Sequence, residues 1–246
     1  MLFRSEVAVA IEDHYRPRFA GDELPRNAGG AIVAVADKLE TLVGLFAIDQ
    51  LPTGDKDPFA LRRHALGVLR TLTERLPQIG LDRAVDAAIA APTWPAAAAV
   101  ATAENGAPAP IRAPLLAFFA DRLAASLADR GYSAAEIGAV LADDKFHRLG
   151  EVEPRLVALR QFAALPEAAS LAAANKRVGN ILKKASAPVP AAVDAALLRE
   201  PAEAALAAAL REVGPRADAA LAGGDYAGSL RSLAALRTPV DASSTA

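Results

Sequence analysis

Three histidines, one aspartate in an apolar helix and one run of basic residues are the side chains whose types and spacing could do chemistry here. There is no cysteine, so thiolate nucleophiles, thiolate metal sites and disulfides are excluded. His14, His64 and His147 lie far apart, none is followed by Asp, and no two have the spacing of a helical metal site. Each reads more readily as a surface or hydrogen-bonded histidine than as a ligand. Asp37 sits among Ala31, Ile32, Val33, Val35, Ala36 and Leu39. A carboxylate in such a setting is costly unless it is paired or hydrogen-bonded. It is a weak candidate for a metal ligand, because partner ligands are missing. The favoured reading is a structural carboxylate that holds a helix cap or an arginine.

The basic run carries more. Residues 145–187 hold eight basic residues against three acidic ones, a local charge of +5 in a chain of net charge −2. At about 100° per residue, Leu171, Ala174, Val178, Ile181 and Leu182 share one face of a helix. Lys176, Arg177, Asn180, Lys183 and Lys184 share the other. Lysine and arginine can neutralise phosphates, and an asparagine can read a base edge. Arg155 and Arg160 stand as supporting cations. The alternative is an ordinary solvated face. Tyr132, Phe146, Phe162 and Tyr226 could stack on splayed bases, although Phe162 continues the core-like spacing of Leu156 and Leu159.

The elements that position these groups are predicted to be helices throughout. Hydrophobic residues make up 53% of the 246 positions and aromatics 5%, and alanine and leucine are strong helix formers. Helices are expected at about 5–15, 31–46, 58–76, 81–91, 114–130, 133–143, 153–164, 167–185, 190–198, 201–222 and 225–237. The first shows Val7, Ile11 and Tyr15 at steps of four. The second is apolar enough to be buried on most sides. Asp57 is expected to cap a helix starting at Pro58. Gly131 and Ser133 mark a helix end and a helix start, and Pro154, Pro190 and Pro201 each stand at a helix start. The alanine- and proline-rich stretch 92–110 reads as a linker or insertion, and the tail from Pro239 as frayed. No stretch alternates like a strand, and no apolar run is long enough for a membrane span.

Several blocks resemble the β subunit of bacterial two-subunit glycyl-tRNA synthetases. They are Tyr15-Arg16-Pro17-Arg18-Phe19-Ala20-Gly21-Asp22, the run Ala34 to Gly44, the run Gln50 through Asp57-Pro58-Phe59-Ala60-Leu61-Arg62-Arg63 to Arg70, and Ala172-Ala173-Ala174-Asn175-Lys176-Arg177-Val178-Gly179-Asn180-Ile181-Leu182. They stand in that family's order and spacing over most of the chain. The resemblance implies an all-α fold. An HD-like helical domain fragment at 1–91 is followed by the linker 92–110 and by an anticodon-binding helical bundle of the arginyl-tRNA synthetase type at 111–246. Asp37 would match the last acidic position of the HD pattern, whose earlier His and His-Asp positions would fall before Met1. The family subunit is longer, so polypeptide is expected on both sides of this stretch.

The function so implied is recognition of the anticodon arm of glycine tRNA within an α2β2 ligase. Its α subunit attaches glycine using ATP and Mg. The expected partners are tRNA(Gly), the α subunit and a second β subunit, in the cytoplasm, without DNA or membrane. No cofactor and no catalytic residue are expected within this chain. Two rivals remain: a metal-dependent HD-type phosphohydrolase centred on Asp37, and a docking scaffold built on 31–46 and 58–76.

Overall fold

The computed structural model describes residues 2–53, 56–91, 111–142, 148–184 and 193–243. Among these the chain is all-α, and its one β feature is an isolated bridge between Thr53 and Lys56. None of these helices is long and apolar enough to cross a membrane. The helices are α1 Leu2–Asp13, α2 Ala28–Ala47, α3 Leu61–Glu74, α4 Leu81–Ala90, α5 Arg112–Asp129, α6 Ala134–Leu141, α7 Val152–Ala163, α8 Ala168–Lys184, α9 Pro201–Ala222, α10 Tyr226–Ala234 and α11 Arg237–Ser243. Stretch 92–110, Phe146, His147 and Pro190 lie outside the described residues.

The chain forms two compact units, Met1–Val152 and Glu153–Ala246. This differs from a boundary at 92–110. Leu115 and Phe119 of α5 are fully buried in the same core as Val35, Leu39 and Leu42 of α2, Leu61, Val68 and Leu72 of α3, and Leu81 and Val85 of α4. The stretch 92–110 therefore joins two helices of one core, and α5 and α6 belong with the first unit. Phe46 and Phe118 meet tilted, with centroids 5.4 Å apart. Asp86 of α4 pairs with Arg112 of α5 at 2.6 Å.

The helix boundaries follow local chemistry. Asn27 caps α2, its Oδ1 accepting from Gly30 N at 2.7 Å. Gly131, at φ 84°, follows α5, and Ser133 opens α6 in a capping box with Glu136. Asp57 does cap the third helix, but from further away than expected. Its carboxylate accepts from Leu61 N at 2.8 Å and Arg62 N at 3.0 Å. Pro58 and Phe59 form a turn, and the helix begins at Leu61.

In the second unit α9 packs against α10 and α11, and α11 also packs against α8. Pro201 opens α9 and Pro154 lies in the first turn of α7. The helix expected at 190–198 is reduced, among its described residues, to a single 3₁₀ turn at Ala195–Leu197. The expected frayed tail is helical up to Ser243, where α11 packs on α9 and α8 and Ser170 Oγ on α8 lies 2.5 Å from Asp241 Oδ1.

Candidate functional site: an exposed basic helix and a buried lysine

Lys176, Arg177, Asn180, Lys183 and Lys184 all lie on α8, and all five are exposed. The helix forms because Leu171 to Lys184 contains no proline and is rich in alanine, leucine and lysine. The cations also fall where the helix dipole favours them, with Lys183 and Lys184 in the last turn. Every described cation of this face is therefore in solvent and available to phosphates.

The opposite face departs from expectation. Leu171 and Ala174 are half-buried, but Val178, Ile181 and Leu182 are 51%, 62% and 50% exposed. Contact with α11 covers the start of the helix, where Ala168 is buried and Ser170 is hydrogen-bonded. Beyond that start, α8 shows solvent both its basic and its apolar face.

The two supporting arginines differ. Arg160 is exposed on α7. Arg155 is half-buried, with its guanidinium 5.2 Å from the centroid of the Tyr226 ring. That cation–π contact joins α7 to α10 and engages Tyr226, one of the rings considered for base stacking. Phe162 and Tyr132 are half-buried.

In the first unit the buried charge is not Asp37 but its neighbour. Asp37 is half-buried and Lys38 is 4% exposed. On a helix consecutive residues point about 100° apart, and the inward direction falls on 38. The Lys38 stem passes Gly67 of α3, and its Nζ donates to the carbonyls of Arg16 at 2.9 Å and His14 at 3.2 Å. Burial pushes the Lys38 ammonium below its ordinary range, partly countered by Asp37. His64 is half-buried and its Nδ1 is enclosed without a hydrogen-bond partner. Burial, then the charge of Lys38, pushes its imidazole down. Lys38 and Arg63 act on His64 against Asp37 and Asp57, so an ammonium already serves as the local cation. Among the described residues no three His, Asp or Glu side chains converge as metal ligands. His14 places Nδ1 2.6 Å from the Ile11 carbonyl.

Sequence reasoning passed over the ion pairs that shape the loop 14–27. Asp13 is fully buried and accepts from Arg26 N at 2.7 Å and from its guanidinium at 2.9 Å. Hydrogen bonding by Arg26 holds the Asp13 carboxyl below its usual range. Asp22 is clamped by Arg18, whose hydrogen bonds hold it low in the same way, and Arg70 of α3 donates to the Asp22 carbonyl. The alternation of Arg16, Arg18, Asp22, Glu23 and Arg26 between two helices was the available signal.

The first unit contains the region that a family model recognises. The model for the glycyl-tRNA synthetase beta subunit matches residues 3–142. Curated relatives extend the likeness across α8. The glycine–tRNA ligase beta subunit of Janthinobacterium sp. (strain Marseille) is 61% identical over 96% of this chain and 32% of its own length. Those of Leptothrix cholodnii (strain ATCC 51168 / LMG 8142 / SP-6) and Dechloromonas aromatica (strain RCB) are 59% and 56% identical, each over 97% of this chain and 32% of the relative. The chain thus spans about a third of the length of the curated relatives it matches. A family model covering more than half of the chain, with relatives this similar across nearly all of it, leads to one conclusion: the chain belongs to the glycyl-tRNA synthetase beta subunit family.

Proposed function

We propose that this chain supplies tRNA recognition to the attachment of glycine to its tRNA, and that α8 is the surface that grips the RNA. The observation that carries this reading is the set Lys176, Arg177, Asn180, Lys183 and Lys184, all exposed on one helix. On this reading the first unit is an HD-like helical domain and the second an anticodon-binding bundle. The cations hold phosphates of the anticodon arm, Asn180 reads the edge of an unstacked base, and Arg160 extends the basic surface. Arg155 supports the face indirectly by holding α7 to α10.

The chemistry of the ligase then belongs to the α subunit, which uses ATP and Mg. This chain, with a second β subunit in a cytoplasmic assembly, positions the tRNA. A phosphohydrolase centred on Asp37 is less favoured, because the neighbouring His64 imidazole already feels the positive charges of the buried Lys38 ammonium and of Arg63. A divalent cation there would meet their repulsion.

The test is titration of labelled glycine tRNA with the purified chain at two salt concentrations. Lys176→Ala combined with Arg177→Ala is expected to weaken binding about tenfold or more. It should also flatten the salt dependence by up to two phosphate contacts. Wild-type affinity and an unchanged salt slope in the double variant would overturn the assignment of α8.

A further inference from the structure

Phe59 lies in the turn that leads into α3 and is 47% exposed. The turn is fixed from both sides. Thr53 and Lys56 exchange two backbone hydrogen bonds, Ala60 N donates to the Asp57 carbonyl at 3.1 Å, and the Asp57 carboxylate holds the amides of Leu61 and Arg62. Ala60 completes the reversal with a left-handed φ of 55°. A ring carried on such a turn is held out in solvent, although burying it would favour folding by about 2 kcal/mol.

Among the described residues of this unit two other aromatics, Tyr15 and Phe19, are exposed, but each has a covered face. Tyr15 lies against the His14 ring with centroids 3.9 Å apart, and the Arg18 guanidinium stands 6.0 Å over Phe19. Among the described residues no ring and no guanidinium covers Phe59. Among the described residues 56–63 three side chains are cationic and one is acidic. Lys56 and Arg63 are exposed and Arg62 is half-buried, while the single carboxylate between them, Asp57, is occupied by helix amides. Leu66, 39% exposed and three residues beyond Arg63, extends the apolar surface along α3.

An open aromatic face flanked by cations is the make-up of a platform for single-stranded nucleic acid, in which the ring takes a base and the cations take the phosphates. We propose that the 56–63 turn is a second RNA contact of this chain. Phe59 stacks on an unpaired base, and Lys56 and Arg63 hold the phosphates beside it. The charge decides the class of partner, because an RNA strand matches both the ring and its cations, whereas an apolar polypeptide face would leave the cations unmatched. The proposal rests on the reading that the chain binds tRNA, and it adds a site on the first unit to the one on α8.

The experiment titrates labelled glycine tRNA against the full chain and four variants: Phe59→Leu, Phe59→Tyr, Arg63→Gln, and Lys176→Ala with Arg177→Ala. Phe59→Leu is expected to weaken binding roughly five- to hundredfold, the range for losing one stacked base, with its salt slope unchanged. Phe59→Tyr should restore affinity, since the ring returns. Arg63→Gln should reduce the salt slope by about one phosphate. If Phe59→Leu and Arg63→Gln bind like the parent while the α8 variant loses affinity, the second contact falls and the α8 reading stands. Absence of binding by the folded parent would sink both. A lowered melting temperature in Phe59→Leu that accompanies its loss of affinity would make the ring structural. Unchanged RNA affinity with loss of self-association on a sizing column would assign the turn to a second copy of the chain.

Discussion

Lys38 shows how one side chain can carry charge into an apolar interior. Its stem lies against Gly67 and its ammonium ends on two carbonyls that close the segment after α1. Replacing it by methionine keeps most of the volume but leaves those carbonyls without their donor. Lys38→Met is therefore expected to lose about 1–3 kcal/mol in urea denaturation at neutral pH. The pH dependence has a definite sign. Burial lowers the folded-state pKa of Lys38 below its unfolded value. Between those two values the unfolded chain binds more protons than the folded one, so stability rises with pH. The parent should gain on Lys38→Met as pH climbs from the lowered folded value towards the ordinary lysine range. A gap that stays constant or narrows in that window would show that the ammonium is not desolvated.

At the scale of elements, the contact between α2 and α3 depends on a residue with no side chain. A Cβ added at Gly67 would lie 3.1 Å from both Cδ and Cε of Lys38 and 3.5 Å from Pro17 Cγ. The lysine stem cannot swing away while its ammonium is tied to His14 and Arg16. Gly67→Ala should thus destabilise the parent by about 1 kcal/mol, even though alanine in a helix interior ordinarily gains about 1 kcal/mol over glycine. In a Lys38→Ala background the obstruction is gone, and the same substitution should become stabilising. Urea titration of the four proteins in this cycle would read a coupling of about 1–2 kcal/mol; additive effects would disprove the contact. Exposure along an element also needed the structure. Val7 and Ile11 of α1, Tyr15 beyond its end, and Ile32 and Val33 of α2 follow helical spacing, yet all are 47% exposed or more. Periodicity shows that residues share a face, but not that the face is covered.

For the whole molecule, the distribution of buried side chains separates the two units. The first unit encloses Phe119, Leu42, Leu61, Leu72, Leu81 and Leu115. The buried side chains of the second are mostly small, among them Ala168, Ala207, Val213, Ala217 and Ser229. Leu156 and Leu236 are its large buried residues, whereas Val178, Ile181, Leu182, Leu197, Leu210 and Leu221 face solvent. Local opening free energy follows the apolar surface that opening exposes. Amides in the middle of α2 and α3 are therefore expected to exchange about a hundredfold or more slowly than those of α8. Hydrogen exchange followed by mass spectrometry would check this, and uniform protection across both units would contradict it.

The sequence by itself determined what local chemistry determines. Alanine- and leucine-rich runs made the helices, Ser133 and Gly131 bounded α5 and α6, and Pro201 opened α9. The basic face of α8 was legible because a helix with 100° steps gathers Lys176, Arg177, Asn180, Lys183 and Lys184 without help from elsewhere. The ordered blocks such as Asp57-Pro58-Phe59-Ala60-Leu61-Arg62-Arg63 were legible for the same reason, being contiguous. What only the tertiary structure decided depends on partners distant in the chain. The core claims Lys38 instead of Asp37, because α2 turns position 38 towards Gly67 and the carbonyls after α1. Leu115 and Phe119 join the first core from beyond the 92–110 stretch. Phe59 is left in the open by a turn whose hydrogen bonds come from both sides of it. Burial is set by where distant segments meet, and no local spacing encodes that meeting.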